Sequence, residues 1–563
     1  MNMKTKTGWI MLMLLVAVMY ASAQPLQDNF YVKVLHEELQ RNIKRLKLPD
    51  LERPFFIAYN LSNHYNLELN AERGIITSTV SEPVNRKVFA VKLRVGDYHR
   101  NFDYMINDVY SVLLPHEEDA DEYRRLIWLE TDKAYKNNAR QYTAFMSSLK
   151  RVNVDPKELA LDDLSIITPL TQDFGAATPI VIDTDKWKER LKRLSTLFNE
   201  HADITTSYCR LSMNSAEEYL VTSEGTTIRK PKGHVTFTAY GALMQEDGSS
   251  ISHTYSLIVK DIHELPSFDS LETAVKQLIS TLRNKQKAKP FEGSYIGPVL
   301  LEGDAVHGII QSCFTSNLQV KRKPIIGYGM PDVDYEEKLG QKLVASALTV
   351  TAIPSLKVFE GKKTTGAYEV DNEGVRPPDS LVLIQHGVLR SLLNGRTPTH
   401  KFPVSQGFSA SVFGSNTYSP GVLRLTSDSI APADSMKSRL LQLAKEEGLP
   451  YAYIIKGLRR YGNDTEIYRV NVATGEEEMI NECEVLPLNI RSLRRFIVAS
   501  DKTMLRNYAD LSIIAPQSMI INEVEIEKSR NATKPKPFIV SNPLLEPSPS
   551  KAVKKKIKMD LKE

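Results

Sequence analysis

Glu302, Asp304 and His307 fall within six residues of one another, directly after the apolar run Gly297-Pro-Val-Leu-Leu301. Two carboxylates and an imidazole are groups that hold divalent cations or move protons. A catalytic zinc takes about three protein ligands, an open position for water and a neighbouring base. Glu302 and His307 supply two ligands at most. His307 reads more simply as a helix histidine paired with Asp304 at i−3 or Gln311 at i+4. A second reading lets Glu302, Asp304 and His307 line the polar pocket of a hydrolase of non-standard design. Other routes to hydrolysis are weaker. His36-Glu37, His116-Glu117 and His263-Glu264 begin like H-E-x-x-H, but the fourth residue on is Gln40, Ala120 and Ser267, so they read as surface pairs. Gly407-Phe-Ser409-Ala-Ser411 lacks the last glycine of a nucleophile elbow. Cys209, Cys313 and Cys483 are too widely spaced for a C-x-x-C site and read as buried small hydrophobes.

These residues need a scaffold, and periodicity outlines an α+β one. Residues 54–98 alternate as a half-buried sheet, with Val91, Leu93 and Val95 on one face and Lys92 and Arg94 on the other. Over residues 122–150 the period becomes helical, and Trp128, Tyr135, Tyr142 and Met146 form an aromatic stripe that reads as core. Further helices are predicted over 185–199, 270–285 and 436–447, a turn at Ser223-Glu224-Gly225, and a hairpin turn at His386-Gly387. The segment Tyr295 to Leu301 reads as a strand feeding a short helix whose Val306, Ile309, Ile310 and Cys313 form an apolar face.

A chain of 563 residues with 42% hydrophobic and 25% charged residues exceeds one core, so two large domains are expected. Residues 1–23 read as a signal peptide: Lys4 and Lys6, an apolar run, then Ala21-Ser22-Ala23. The run of twelve apolar residues spans only about 18 Å against a hydrocarbon core of about 30 Å, so export to the periplasm or the extracellular space is expected rather than anchoring. The divisions are then 24–289 and 290–527, followed by a flexible basic tail over 528–563. The net charge of +4 is small and its lysines are mixed with acids, which argues against nucleic acid as a partner. No stable membrane insertion is expected.

Several stretches together resemble the TldD/PmbA family of metallopeptidase-related proteins. They are Leu126-Ile-Trp-Leu-Glu-Thr-Asp-Lys-Ala-Tyr135, Ser223-Glu-Gly-Thr226, Gly297-Pro-Val-Leu-Leu301, Leu339-Gly-Gln-Lys342, Asp371-Asn-Glu-Gly-Val375 and Gly387-Val-Leu389. Their order from Leu126 to Leu389 carries the resemblance. It implies an N-terminal α/β sandwich-like domain, a β-rich C-terminal domain and a dimer. Active members carry H-E-x-x-x-H after the strand, with a further Cys completing a zinc site that cuts unfolded peptides. At those positions this sequence has Glu302, Gly303 and His307, so no zinc or other cofactor is expected and catalysis is in doubt. The resemblance therefore implies a non-catalytic or weakly active subunit. It would bind unfolded peptide as a homodimer, or as a heterodimer with a catalytic TldD-like subunit; an exported binding module is a further alternative. The acidic turn at Asp371 and Glu373 reads first as a loop that caps a strand, and secondly as part of a peptide groove. Asn416, whose amide carries both donor and acceptor, is a candidate for pairing with a peptide backbone.

Overall fold

The computed structural model describes residues 26–78, 82–106, 108–244, 250–326, 334–411, 417–457 and 465–529. The signal-peptide segment, Asn416 and the basic tail beyond Ser529 lie outside the described residues.

Helix α1 (Phe30–Arg45) opens the first half, capped by Asn29, whose side chain accepts from the N–H groups of Tyr31 and Val32. Strands β1 (Pro54–Glu72) and β2 (Val84–Val95) follow, then helices α2 (Ala120–Leu149) and α3 (Thr184–Thr196). Strands β3 (Ile204–Thr222), β4 (Thr227–Met244) and β5 (Ser250–Val259) and helix α4 (Phe268–Lys287) complete it. Asp119, Asp183 and Ser267 cap α2, α3 and α4 in turn, which is why these helices start where they do. With three shorter strands these build one eight-stranded sheet, and β1 pairs antiparallel with both β2 and β3.

The two-residue period of β1 sets the layers. Ile57, Tyr59 and Leu61 pack against Leu35, Leu39, Tyr123 and Ile127 of α1 and α2. Farther along, Leu67, Leu69 and Ala71 pack against Leu191, Leu194, Leu278 and Leu282 of α3 and α4. All four helices thus cover one face. Two expectations need correction here. Tyr135 is buried as a core residue, but Trp128 is 41% exposed, so the aromatic stripe of α2 is only partly core. Lys92 and Arg94, expected on a solvated face, are buried because Asp103 pairs with both, at 3.0 and 2.7 Å.

Immediately after α4, Lys289–Pro290 pairs with Glu477–Asn481 and the chain enters the second half. Here β6 (Ser294–Glu302) leads into α5 (Asp304–Ile310). Strands β7 (Leu348–Ala352), β8 (Leu381–Gln385) and β9 (Val422–Ser427) precede helix α6 (Met436–Glu446). Then come β10 (Tyr451–Gly457), β11 (Glu466–Asn471), β12 (Phe496–Ser500), β13 (Thr503–Asn507), β14 (Ser512–Pro516) and β15 (Ser518–Lys528). A nine-stranded sheet sets β6 between β15 and β10, and a six-stranded sheet runs from β8 through β7, β9 and β14 to β13. Val299 and Leu301 of β6 face a core shared with Val350, Leu425, Ile513 and the Val306 and Ile309 side chains of α5. Leu300 points the other way, onto Leu440 and Ala444 of α6. A strand buried on both faces must read as an unbroken apolar run, as Val299-Leu300-Leu301 does. The hairpin after β8 turns at His386 and Gly387, with φ of 46° and 78°, the pair of positive values a two-residue type I′ turn requires. The molecule is therefore an α+β protein of two sheet-centred halves. No helix among the described residues is long and apolar enough to cross a membrane.

Candidate functional site

Strand β6 ends at Glu302 and helix α5 begins at Asp304, so Gly303 makes the whole turn. Its φ of 54° and ψ of −119° lie where a side chain is strained, although nothing occupies the space a Cβ would enter. Gly303 N–H donates to Gln517 O at 2.9 Å, which ties the turn to the link between β14 and β15. Glycine here is thus a backbone requirement as well as a missing base.

The three candidate residues separate in space. Glu302 is half-buried, and burial raises its pKa, with Glu477 adding to the rise while Lys456 and Lys437 oppose it. Asp304 is exposed and pairs with Arg506 Nη2 at 3.2 Å. His307 is fully buried, and its partners are neither Asp304 nor Gln311: Nδ1 faces Gly303 O at 3.0 Å and Nε2 faces Met504 O at 3.2 Å. That corrects the expected i−3 or i+4 pairing, because α5 packs its histidine onto β13 instead of displaying it along the helix. A neutral imidazole has one N–H, so one carbonyl receives a proton and the other meets a lone pair. Burial lowers the pKa of His307, and the two carbonyl contacts oppose that shift.

These residues do not fit a zinc ion. Both His307 nitrogens face carbonyl oxygens, Asp304 turns to an arginine, and no group of three metal-binding side chains occurs among the described residues. Cys313 does not supply a ligand either. Helix α5 passes into a π turn over Gln311–Thr315, so the angular count of a regular helix does not extend to Cys313, which lies buried in the core. Burial pushes the thiols of Cys209, Cys313 and Cys483 up to about 12 and no disulfide joins them.

What α5 does border is a cleft of about 490 Å³ between the two halves of the molecule. One wall is four consecutive residues of β5, His253, Thr254, Tyr255 and Ser256, backed by Gln277 and Thr281 of α4. Asp304, Gly308 and Gln311 form the facing wall with Lys456, Glu466, Arg506 and Tyr508. Of the three candidates only Asp304 reaches this cleft. Among the described residues β5 pairs only with β4, and β13, which carries Arg506, pairs only with β14. Two sheet edges therefore meet at the opening. His253 approaches Glu466 at 3.7 Å across it. The sequence reading missed His253, Arg506 and Tyr508; Ser250 to Ser256 is a weakly apolar strand with no motif, and Arg506 lies about 200 residues from Asp304.

Asp371 and Glu373 sit elsewhere, in a buried contact between the halves. Asp371 Oδ1 accepts from the N–H groups of Glu373 and Val375 at 2.9 and 2.8 Å, and its Oδ2 from Ser409 N–H at 3.0 Å. Burial, with Glu373 nearby, raises its pKa to about 7. These bonds are those of a loop cap. Glu373 Oε1 lies 3.3 Å from Lys92 Nζ and its Oε2 accepts Arg396 N–H at 3.1 Å. Arg396 in turn grips Glu224 through two bonds of 2.7 Å and donates to Ser165 O. The predicted turn at Ser223-Glu224-Gly225 is thus the first half's contribution to this latch.

Residues 293–458 match the family profile described as the PmbA/TldA metallopeptidase C-terminal domain. No curated protein matches the chain. Three solved structures share its fold. A protein from Thermotoga maritima MSB8, described as a candidate modulator of a DNA gyrase, aligns with a TM-score of 0.56 at 12% identity, covering 88% of this chain and 100% of its own. A candidate modulator of DNA gyrase from Bacteroides thetaiotaomicron VPI-5482 gives 0.56 at 14%, covering 88% and 98%. TldE from Thermococcus kodakarensis gives 0.53 at 11%, covering 88% and 99%.

Proposed function

We propose that the chain, whose residues 293–458 match the PmbA/TldA metallopeptidase C-terminal domain, is a non-catalytic or weakly active TldD/PmbA-type subunit that binds unfolded peptide beside a zinc-bearing relative. The observation that carries the proposal is the cleft between the β5 and β13 edges, next to a strand-to-helix turn that holds neither base nor metal ligands. A sheet edge offers main-chain N–H and C=O groups to an extended chain and is indifferent to its sequence. A folded ligand has already used its own backbone groups, so only an unfolded one gains these bonds. Asp304, Arg506, Lys456 and Glu466 give the walls charges of both signs, which suits a ligand of mixed side chains. The metal and the water would come from the partner subunit, and export, read from residues 1–23, would place both outside the cytoplasm.

Four measurements test this. Metal analysis of the purified full-length chain is expected to find far less than one zinc per chain. One tightly held zinc, lost in His307→Ala, would sink the reading. A labelled unfolded peptide is expected to bind without being cut and to bind more weakly to Arg506→Ala. Cleavage by the protein alone that resists chelators and depends on Asp304 would favour a hydrolase of non-standard design instead. Amino-terminal sequencing of the exported protein is expected to begin at Gln24. Recovery of the protein with an H-E-x-x-x-H relative separates the paired subunit from a free-standing binding module.

A further inference from the structure

A second cavity, of about 300 Å³, lies between the two halves near the end of β5. Lys260, the residue after β5, lines it together with Lys230, Lys357 and Lys363. Glu369 is the one carboxylate in that lining, and it is already paired with Lys357. Lys230 donates to Asn372 Oδ1 at 2.6 Å and to Asp371 O at 3.3 Å, while its nearest carboxylate, Glu218, is 3.8 Å away. Lys363 leans on Glu264 at 3.2 Å and Asp261 at 3.7 Å, at the rim. For the ammonium of Lys260 there is no hydrogen bond or ion pair among the described residues.

Such a cluster is unfavourable as it stands. Removing an ammonium from water costs free energy that a paired carboxylate normally offsets, and like charges gathered in a partly dry cavity repel one another. Burial lowers the pKa of Lys260; Lys232 and Lys363 push it further down, against the pull of Asp510 and Glu264. An anion would remove both penalties together. Phe174 and Tyr368 provide aromatic wall for the body of a ligand, and Arg376 lies 5.8 Å over the Phe174 ring, adding a further positive group nearby. The volume is that of a small-molecule site and excludes a folded partner or a duplex.

We propose that this cavity binds a small multivalent anion, of the phosphate-ester or polycarboxylate class, held by Lys230, Lys260 and Lys363. The site is separate from the peptide cleft and does not rest on the reading given to that cleft.

The test is calorimetric titration of the full-length protein with inorganic phosphate and with citrate, against sodium chloride at matched ionic strength. At least one of the two anions is expected to bind. Lys260→Gln is expected to weaken that binding about tenfold or more, Lys260→Arg to stay within about threefold of wild type, and Lys276→Gln, an exposed lysine paired with Glu272, to change nothing. Tighter binding of phosphate points to a phosphate ester as the natural ligand, and tighter binding of citrate to a polycarboxylate. Thermal unfolding without anion checks that Lys260→Gln is folded, and Lys363→Gln gives a second variant expected to weaken binding. The proposal is overturned if neither anion binds more tightly than chloride, or if Lys260→Gln and Lys363→Gln both bind as wild type does.

Discussion

Among the places where the two halves of the molecule meet through charges, two are built in opposite ways. Around Arg396 the groups are buried, short-bonded and mutually satisfied: Glu224 takes two guanidinium N–H groups, Ser165 O takes others, and Lys92 bridges Glu373 and Asp103. Around Arg506 the groups are only partly buried, Asp304 least of all, and the ion pairs are longer: Arg506 meets Asp304 at 3.2 Å and His253 lies 3.7 Å from Glu466. Buried ion pairs fix geometry because losing one partner strands the other in a dry site. Exposed ones exchange readily with water or a ligand. The latch holds the halves through buried charge, and the cleft is the more open seam between them.

Cutting the latch gives the sharpest contrast. Arg396→Ala is expected to cost about 3–5 kcal/mol in urea unfolding, since Glu224 and Ser165 O lose their donors together. Arg396→Met with Glu224→Met is expected to restore much of that loss, and a double variant no more stable than the single one would show the charges themselves are not the cause.

Asp103 comes next in size. Burial works to raise its pKa, but Lys92 and Arg94 outweigh it and hold the carboxyl at about 2, below its ordinary 3.8. The folded state therefore gains stability that is fully present above about pH 4 and is lost as pH falls towards 2, on the order of 2 kcal/mol. In Asp103→Asn the acid limb of the stability curve below pH 4 is expected to flatten.

His307 acts at milder pH. Its pKa is lowered on folding, so the unfolded ring takes up a proton first and stability falls as pH drops below about 6.5. In His307→Gln that loss is expected to shrink, while unfolding at pH 8 changes less. The smallest stability effect belongs to the cleft: Arg506→Ala is expected to cost less than about 1 kcal/mol, yet to weaken peptide binding severalfold. A large stability loss there would erase the distinction between seam and latch.

Much of the scaffold was legible because its signals are local. Capping residues and apolar period place helices at Ala120–Leu149, Thr184–Thr196, Phe268–Lys287 and Met436–Glu446, close to the ranges read from sequence. His386-Gly387 announces its turn by residue type alone. Lys92 and Arg94 show where such reading stops: alternation correctly assigns them to the other face of β2 but cannot say that Asp103 and Glu373 wait there, the latter 281 residues away. The same holds for the cleft. Asp304 was visible beside its strand, whereas Arg506 and His253 join it only through tertiary contact. His307 was read from its own helix, and its real neighbour, Met504 O, is a backbone atom from a strand far along the chain.

The turn at Gly303 limits what engineering can add there. A peptide unit settled at a φ of 54° and ψ of −119° resists any side chain, so writing glutamate and histidine back into positions 303 and 302 would first meet a conformational toll. That toll, on the order of 1–3 kcal/mol, would fall on a turn that its own N–H ties to Gln517 O.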